Sequence, residues 1–121
     1  MKKYIDLNCD MGESFYDRKV GNDELIMPFI TSCNIACGFH GGDPETILKT
    51  INLALSNNVK VGAHPSLYDL EGFGRRKLKV SHNEIRSLLI YQISTLIGIT
   101  SFFRKLIKSS NLFKNFSSTV I

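Results

Sequence analysis

Three times along the chain a short apolar or β-branched run is followed by a loop and then by a helix-length segment that opens on a start signal. The first run, Tyr4-Ile5-Asp6-Leu7-Asn8, alternates, so Ile5 and Leu7 share one face while Tyr4, Asp6 and Asn8 share the other. A polar face of this kind is unusual for a buried strand. Asn22 is placed to cap a short helix through Ile30, and the stretch from Thr31 to Cys37 reads as a second strand. Asp43-Pro44-Glu45 is a strong helix opening: a carboxylate for orphan amides, proline at the first helical position and an acid at the positive dipole end. The helix is expected from Pro44 to about Ser56, with Ile47, Leu48, Ile51, Ala54 and Leu55 as its apolar stripe and Asn57-Asn58 as its end. Val59 to His64 is a third strand. Ser81-His82-Asn83-Glu84 is a capping box, and the final helix is expected from His82 to about Gly98 with Ile85, Leu88, Leu89, Gln92, Ile93 and Leu96 on its buried face.

Strand, loop and helix repeated three times imply parallel strands joined by right-handed crossovers, a layout that puts chemistry at the carboxyl ends of the strands. The unusual polar residues fall at that edge. Asn8, Asp10 and Glu13 follow the first strand, His40 with Gly38, Gly41, Gly42 and Asp43 follows the second, and His64-Pro65 with Gly72-Phe73-Gly74-Arg75-Arg76 follows the third. The opposite edge carries only ordinary turn residues such as Asn57 and Asn58. Each of these groups also has a purely structural alternative. Asp10 and Glu13 fit turn and cap positions, His40 a hydrogen-bonded strut, and Arg75-Arg76 a solvated pair instead of a two-point clamp on a substrate carboxylate. His82, in the first turn of a helix, reads as surface. The glycines around His40 let backbone approach a ligand closely, and Pro65 biases His64 towards an extended conformation that holds its ring direction.

Composition narrows the class. The 121 residues fall well short of the roughly 250 of a closed eight-unit barrel, so any barrel here is partial. With 43% hydrophobic and 21% charged residues the chain is globular in composition. Asp6, Asn8 and Asp10 interrupt any apolar stretch after Met1-Lys2-Lys3 before it reaches export length, and no uninterrupted 18-residue apolar run suggests a membrane span. A soluble, cytosolic protein is expected. Cys9, Cys33 and Cys37 lack zinc-ribbon spacing and read as reduced, buried thiols. The net charge of +4 comes entirely from Arg104, Lys105, Lys108 and Lys114, since residues 1–98 hold eleven basic and eleven acidic side chains. Four charges spread over that length make a thin patch, so nucleic-acid binding is not expected.

Four blocks, in order, resemble the LamB/YcsF family. They are Ile5-Asp6-Leu7-Asn8-Cys9-Asp10-Met11-Gly12-Glu13-Ser14, Asn34-Ile35-Ala36-Cys37-Gly38-Phe39-His40 with Gly42-Asp43-Pro44, Gly62-Ala63-His64-Pro65, and Gly72-Phe73-Gly74-Arg75-Arg76. The resemblance covers about Lys3 to Gly98 and is lost after Ile99. It implies an α/β fold, a partial (β/α) barrel of the seven-stranded glycoside hydrolase/deacetylase-like type with about three βα units present. Family members are roughly twice this length, and a later Lys-Pro-His-Gly motif facing the same pocket has no counterpart here.

The same resemblance implies an activity: ATP-dependent opening of the 5-oxoproline lactam to glutamate, the work of a 5-oxoprolinase whose A component acts with partner subunits B and C. Asp10, Glu13, His40 and His64 are the expected catalytic set, and Asp6, Asn8, Arg75 and Arg76 the expected substrate contacts. ATP is a co-substrate, yet no Gly-x-x-x-x-Gly-Lys-Ser/Thr loop occurs, so nucleotide contacts come from other groups or from the partners. Two rivals stand beside this reading. One is a deacetylase-like hydrolase holding a divalent metal on Asp10, His40 and His64. The other is a truncated fragment with no catalysis of its own.

Residues 1–98 form the expected barrel part, and residues 99–121 a divergent basic tail foreign to it. Helix stripes, caps and turn signals agree up to Gly98 and then fade into polar clusters with isolated phenylalanines. Three βα units also leave parallel edges unpaired. The purified chain is therefore expected to aggregate or to unfold without a sharp transition. Size-exclusion chromatography with thermal unfolding checks this, and a cooperative monomer with an ordered segment 99–121 overturns it.

Overall fold

The computed structural model describes residues 3–108. Its elements in chain order are β1 (Asn8–Met11), α1 (Asp23–Ile26), a 3₁₀ turn (Met27–Phe29), β2 (Ser32–Ala36), α2 (Pro44–Ser56), β3 (Lys60–His64) and α3 (His82–Lys108). The three strands form one parallel sheet in the order β1-β2-β3. The expected α/β class and the parallel βα repeat are thus observed.

Side-chain alternation gives this sheet two unlike faces. In register, Cys9 lies beside Cys33 and Val61, and Met11 beside Ile35 and Ala63. This face meets the helices. Met11, Cys33 and Ile35 join Met27, Ile47, Ile51, Ala54, Val59 and Leu96 in the core, with Val61, Ala63, Ile99 and Phe103 packed against it. Each fully buried apolar side chain of this size contributes about 1.5–3 kcal/mol. The other face carries the rows Asn8-Ser32-Lys60 and Asp10-Asn34-Gly62, with His64 beside Ala36.

Helix boundaries follow local chemistry. Asn22 caps α1 through its side-chain oxygen and the Leu25 amide, but Pro28 cannot supply an amide hydrogen, so the expected helix to Ile30 tightens into the 3₁₀ turn. Asp43 caps α2: one carboxylate oxygen accepts from the Thr46 amide at 3.0 Å, the other from the Thr46 hydroxyl at 2.5 Å and the Tyr16 amide at 2.8 Å. At the far end Asn58 adopts a left-handed φ of 57°, its amide donates to Leu55 O, and the Val59 amide donates to Ala54 O. These two bonds make a Schellman motif, with asparagine in the position glycine usually takes. The expected capping box opens α3: the Ser81 amide donates to Glu84 and the Glu84 amide to the Ser81 hydroxyl.

Two boundaries differ from expectation. Strand β1 is Asn8–Met11, not Tyr4–Asn8, because pairing with β2 starts only at Asn8 opposite Ser32. Tyr4 and Ile5 precede that start and are exposed. Leu7, expected with Ile5 on the apolar face, is exposed as well, and inward-facing alternation begins with Cys9 and Met11. Helix α3 does not end near Gly98 but continues to Lys108. A glycine inside a helix costs about 1 kcal/mol against alanine without breaking it, and Ile99, Phe103 and Leu106 keep the stripe in contact with protein. No structural boundary therefore falls at residue 98, and the rest of the expected tail, 109–121, lies outside the described residues. By length and composition α3 could cross a membrane. One face sends Leu96 into the core and buries Gln92 and Thr100, while Ile90, Ile97 and Ile107 on the rest of the helix are exposed.

Desolvation pushes the buried Asp43 carboxyl upwards, but the hydrogen bonds from Thr46, Tyr16 and Glu45 outweigh it and hold the group at about 2. A depressed carboxyl contributes stability that is complete above its ordinary value of about 3.9. The contribution is lost as pH falls from there through about 2. Asp43→Ala is expected to cost about 2–4 kcal/mol, combining a lost cap with an unmet Tyr16 amide, and to flatten the acid limb of stability over that window. Urea denaturation of both proteins at several pH values checks it.

Candidate active site

The carboxyl ends of the strands bring His40, His64, Glu13 and Asp10 together. Glu13 reaches the site because the loop after β2 lies directly on the loop after β1. A Cβ on Gly41 would sit 2.6 Å from the carbonyl oxygen of Glu13, and the Gly42 amide donates to Ser14 O at 3.1 Å. Only glycine permits that approach at residue 41. The result is a hydrogen bond of 3.0 Å between Glu13 Oε1 and His40 Nε2. His40 is 3% exposed, and its Nδ1 is buried with no hydrogen-bond partner among the described residues. A carboxylate can only accept, so the arrangement that leaves fewest unmet groups puts the ring proton on Nε2 and none on Nδ1.

His64 stands beside it, with ring centroids 4.5 Å apart. Its Nδ1 is 3.5 Å from Glu13 Oε1 and 3.7 Å from Asp10 Oδ1. Neither contact is a hydrogen bond, and this nitrogen too is buried without one. Three potential metal-ligating side chains, Glu13, His40 and His64, have their donor atoms within 4.8 Å of one another. Glu13 occupies the place in that trio expected of Asp10.

The remaining expected contacts separate into two kinds. Arg75 lines a cavity of about 160 Å³ together with His40, His64, Pro65, Ser66, Phe73 and Gly74. Arg76 does not face this cavity: its Nε and Nη2 lie 2.7 and 2.5 Å from Asp69 Oδ1. The hydrogen bond and charge of Arg76 hold the Asp69 carboxyl below its ordinary range, although burial opposes them. Asp6 and Asn8 sit further down the polar sheet face. The Thr31 and Ser32 hydroxyls donate to Asp6 and lower its pKa, while Asn8 donates to Ser32 Oγ at 2.9 Å. The three thiols are unpaired, and burial pushes that of Cys33 up to about 11.

Sequence reasoning passed over four residues that build the site. Asn34 donates to Asn8 Oδ1 at 2.7 Å and Asp10 Oδ1 at 3.0 Å, tying the polar row together. Its signal was the alternation of Ser32 and Asn34 with Cys33 and Ile35. Asp69, almost fully buried, accepts from the Gly72 and Arg76 amides and shapes the 69–76 turn. Gln92 matches both backbone groups of Ser66, accepting from its amide at 2.9 Å and donating to its carbonyl at 2.8 Å. A polar residue inside an apolar stripe was the clue there. Phe73 packs edge-on against His40 at 5.1 Å.

Fold and site together define an α/β protein of parallel βα units with a carboxylate–histidine cluster at the strand carboxyl ends. The chain belongs to the LamB/YcsF family, which it matches over residues 5–108. It is 52% identical over 101 residues to the A subunit of 5-oxoprolinase from Bordetella pertussis, covering 84% of this chain and 40% of that protein. It is 58% identical over 92 residues to the A subunit of 5-oxoprolinase from Clostridium kluyveri, covering 76% and 36%. The crystal structure of the lactam utilization protein from Thermus thermophilus superposes with a TM-score of 0.79 at 44% identity, over 82% of this chain and 40% of that one. The chain spans about 40% of the length of these relatives.

Gly41→Ala is expected to force Glu13 away from His40 and to lower stability by about 1–3 kcal/mol, an overpacking cost. Gly98→Ala is the control, because its Cβ would meet nothing within 4 Å among the described residues. It is expected to raise stability by up to about 1 kcal/mol. Chemical denaturation of the two variants checks both signs.

Proposed function

We propose that this chain is the amino-terminal part of the A subunit of a 5-oxoprolinase, a soluble cytosolic hydrolase that opens 5-oxoproline to L-glutamate with ATP hydrolysis, alongside subunits B and C. The observation that carries the reading is the Glu13-His40-His64-Asp10 cluster at the strand carboxyl ends, beside a cavity lined by Arg75. The two-faced sheet supports a place in a seven-stranded (β/α) barrel of the glycoside hydrolase/deacetylase-like type, with the polar face turned inwards. By itself the chain holds part of the site and is inactive.

An unstrained lactam resists water at neutral pH, and ATP supplies the activation by phosphorylating the carbonyl oxygen. The side chains here are suited to the hydrolysis of that activated ring. His64 has Nδ1 turned towards Asp10 and Glu13, whose charge stabilises the imidazolium formed when its other nitrogen takes a proton from the attacking water. The water oxygen bonds to the carbonyl carbon, the ring C–N bond breaks, and the proton is returned to the nitrogen that becomes the amine. A second water then releases phosphate from the acyl phosphate so formed. His40, held by Glu13, can take a second proton at Nδ1, and that imidazolium donates to the oxygen on which charge develops. Arg75 is free of the ion pair that occupies Arg76 and holds the substrate carboxylate, with Asp6 and Asn8 completing the polar wall.

A second reading is a hydrolase dependent on a divalent metal. Glu13, His40 and His64 are the donor set of a catalytic zinc site, and the unmet His64 Nδ1 fits a ligand. A metal held there would supply an activated water. The bare Nδ1 of His40 fits a ligand in the same way, with its Nε2–H held by Glu13. Stoichiometric bound zinc, with activity lost to a chelator, would select this reading.

Substitution of alanine for the counterpart of His40 or of His64 in the full-length Bordetella pertussis relative, assayed with its partner subunits, is expected to cut ATP-dependent glutamate release by about 10²–10⁴-fold with the fold retained. Near-normal turnover in both variants removes the histidines from the reaction. The present chain assayed alone is expected to release no glutamate, and measurable release overturns that part of the proposal.

A further inference from the structure

The turn Gly72-Phe73-Gly74-Arg75 is built against the preference of its own sequence. Phe73 and Gly74 are both left-handed, with φ of 56° and 70°, and the Arg75 amide donates to Gly72 O at 3.0 Å. This is the pattern of a type I′ turn, whose first central position suits asparagine or glycine and disfavours a bulky side chain. Such strain persists only where the surroundings hold it. Here they do: the Arg18 guanidinium lies 5.9 Å over the Phe73 ring, and Arg18 Nη1 donates to Leu70 O at 2.9 Å.

The held ring meets His40. Phe73 and His40 both line two cavities, a tight one of about 20 Å³ with Glu13, Phe15, Arg18 and Leu70, and the larger one with His64 and Arg75. Glu13 belongs only to the first cavity and Arg75 only to the second, so the phenyl ring forms part of the wall between them. Most imidazoles with a fixed role are oriented through hydrogen bonds on both nitrogens. His40 has such a bond at Nε2 alone, so ring packing must fix the rest of its orientation, with His64 and Phe73 as the two aromatic neighbours.

We propose that Phe73 is a positioning residue: its ring, forced into place by the left-handed turn and backed by Arg18, fixes the His40 imidazole as the Nε2–H tautomer against Glu13 and keeps cavity water off that bond. The functional meaning of this role rests on the reading that His40 takes part in the reaction. The turn offers an unusual test, because Phe73→Asn relieves the backbone and removes the ring in one step. A merely structural phenylalanine would leave the imidazole proton unaffected once the fold is shown to be intact.

The experiment is nitrogen-15 NMR of histidine-labelled, chelator-treated chain, held at a concentration where light scattering shows it monomeric, reading the His40 tautomer and the exchange of its Nε2 proton, with thermal unfolding alongside. The parent chain and Phe73→Tyr are expected to show one Nε2–H tautomer, with its proton exchanging at least about tenfold more slowly than that of the exposed His82. Phe73→Asn is expected to unfold no earlier than the parent yet to lose that protection. Should the asparagine variant not fold, Phe73→Gly suits the same turn and carries the same expectation. Protection retained in either folded variant overturns the proposal. The readout does not involve turnover, so normal activity after substitution of His40 would end the catalytic reading and be told apart from a failure here.

Discussion

Side-chain alternation across three parallel strands is the constraint from which the rest of the molecule derives. It sends Cys9, Met11, Cys33, Ile35, Val61 and Ala63 towards the helices and leaves Asn8, Asp10, Ser32, Asn34 and His64 on the other face. A one-residue slip of any strand would exchange its two sets, turning polar side chains towards the helices and core residues away from them. Register is therefore enforced by burial on one side and by amide and hydroxyl pairing on the other. The Asn34 side chain illustrates the second force, since it bridges Asn8 and Asp10 only when β1 and β2 are aligned as they are.

The polar face has a cost that its network offsets. Carboxylates and amides that share a sheet face need partners, and here Asp6 takes hydroxyls from Thr31 and Ser32 while Asp10 takes an amide hydrogen from Asn34. Among the described residues three buried side-chain atoms lack a hydrogen-bond partner: Thr100 Oγ1 on α3, and at the strand ends the Nδ1 atoms of His40 and His64. The two nitrogens lie side by side in the region where the three strand-end loops meet. Unmet buried nitrogen in the middle of an otherwise paired network is a local cost that the surrounding hydrogen bonds offset.

Much of this was legible in the sequence. Helix starts were marked by local hydrogen-bonding chemistry: Asp43 before Pro44 and Ser81 before Glu84 predicted α2 and α3, and both caps are present. The meeting of Asp10, Glu13, His40 and His64 followed from the βα repeat alone. Ends were less legible, because they depend on neighbours distant in sequence. β1 starts where β2 becomes available to pair, and α3 runs past Gly98 because Phe103 and Leu106 still find protein to touch. The split between Arg75 and Arg76 was hidden for the same reason, since Asp69, seven residues before Arg76, draws one guanidinium away from the cavity. The placement of Glu13 against His40, in preference to Asp10, depends on the Gly41 and Gly42 backbone lying against that of Glu13 and Ser14, which no spacing rule reveals.

Gln92 shows how narrow the tolerance of such an arrangement is. Its amide is read by Ser66 as though it were a neighbouring peptide group, oxygen to the amide and nitrogen to the carbonyl, and Leu88 O takes a further bond from the same nitrogen. A glutamate there would lose the donor that two carbonyls share, a leucine would fill the space and strand both groups of Ser66, and an asparagine would be one methylene short. The position admits a single side chain on chemical grounds. Helix α3 is thereby pinned, at one residue, to the wall of the cavity it supports.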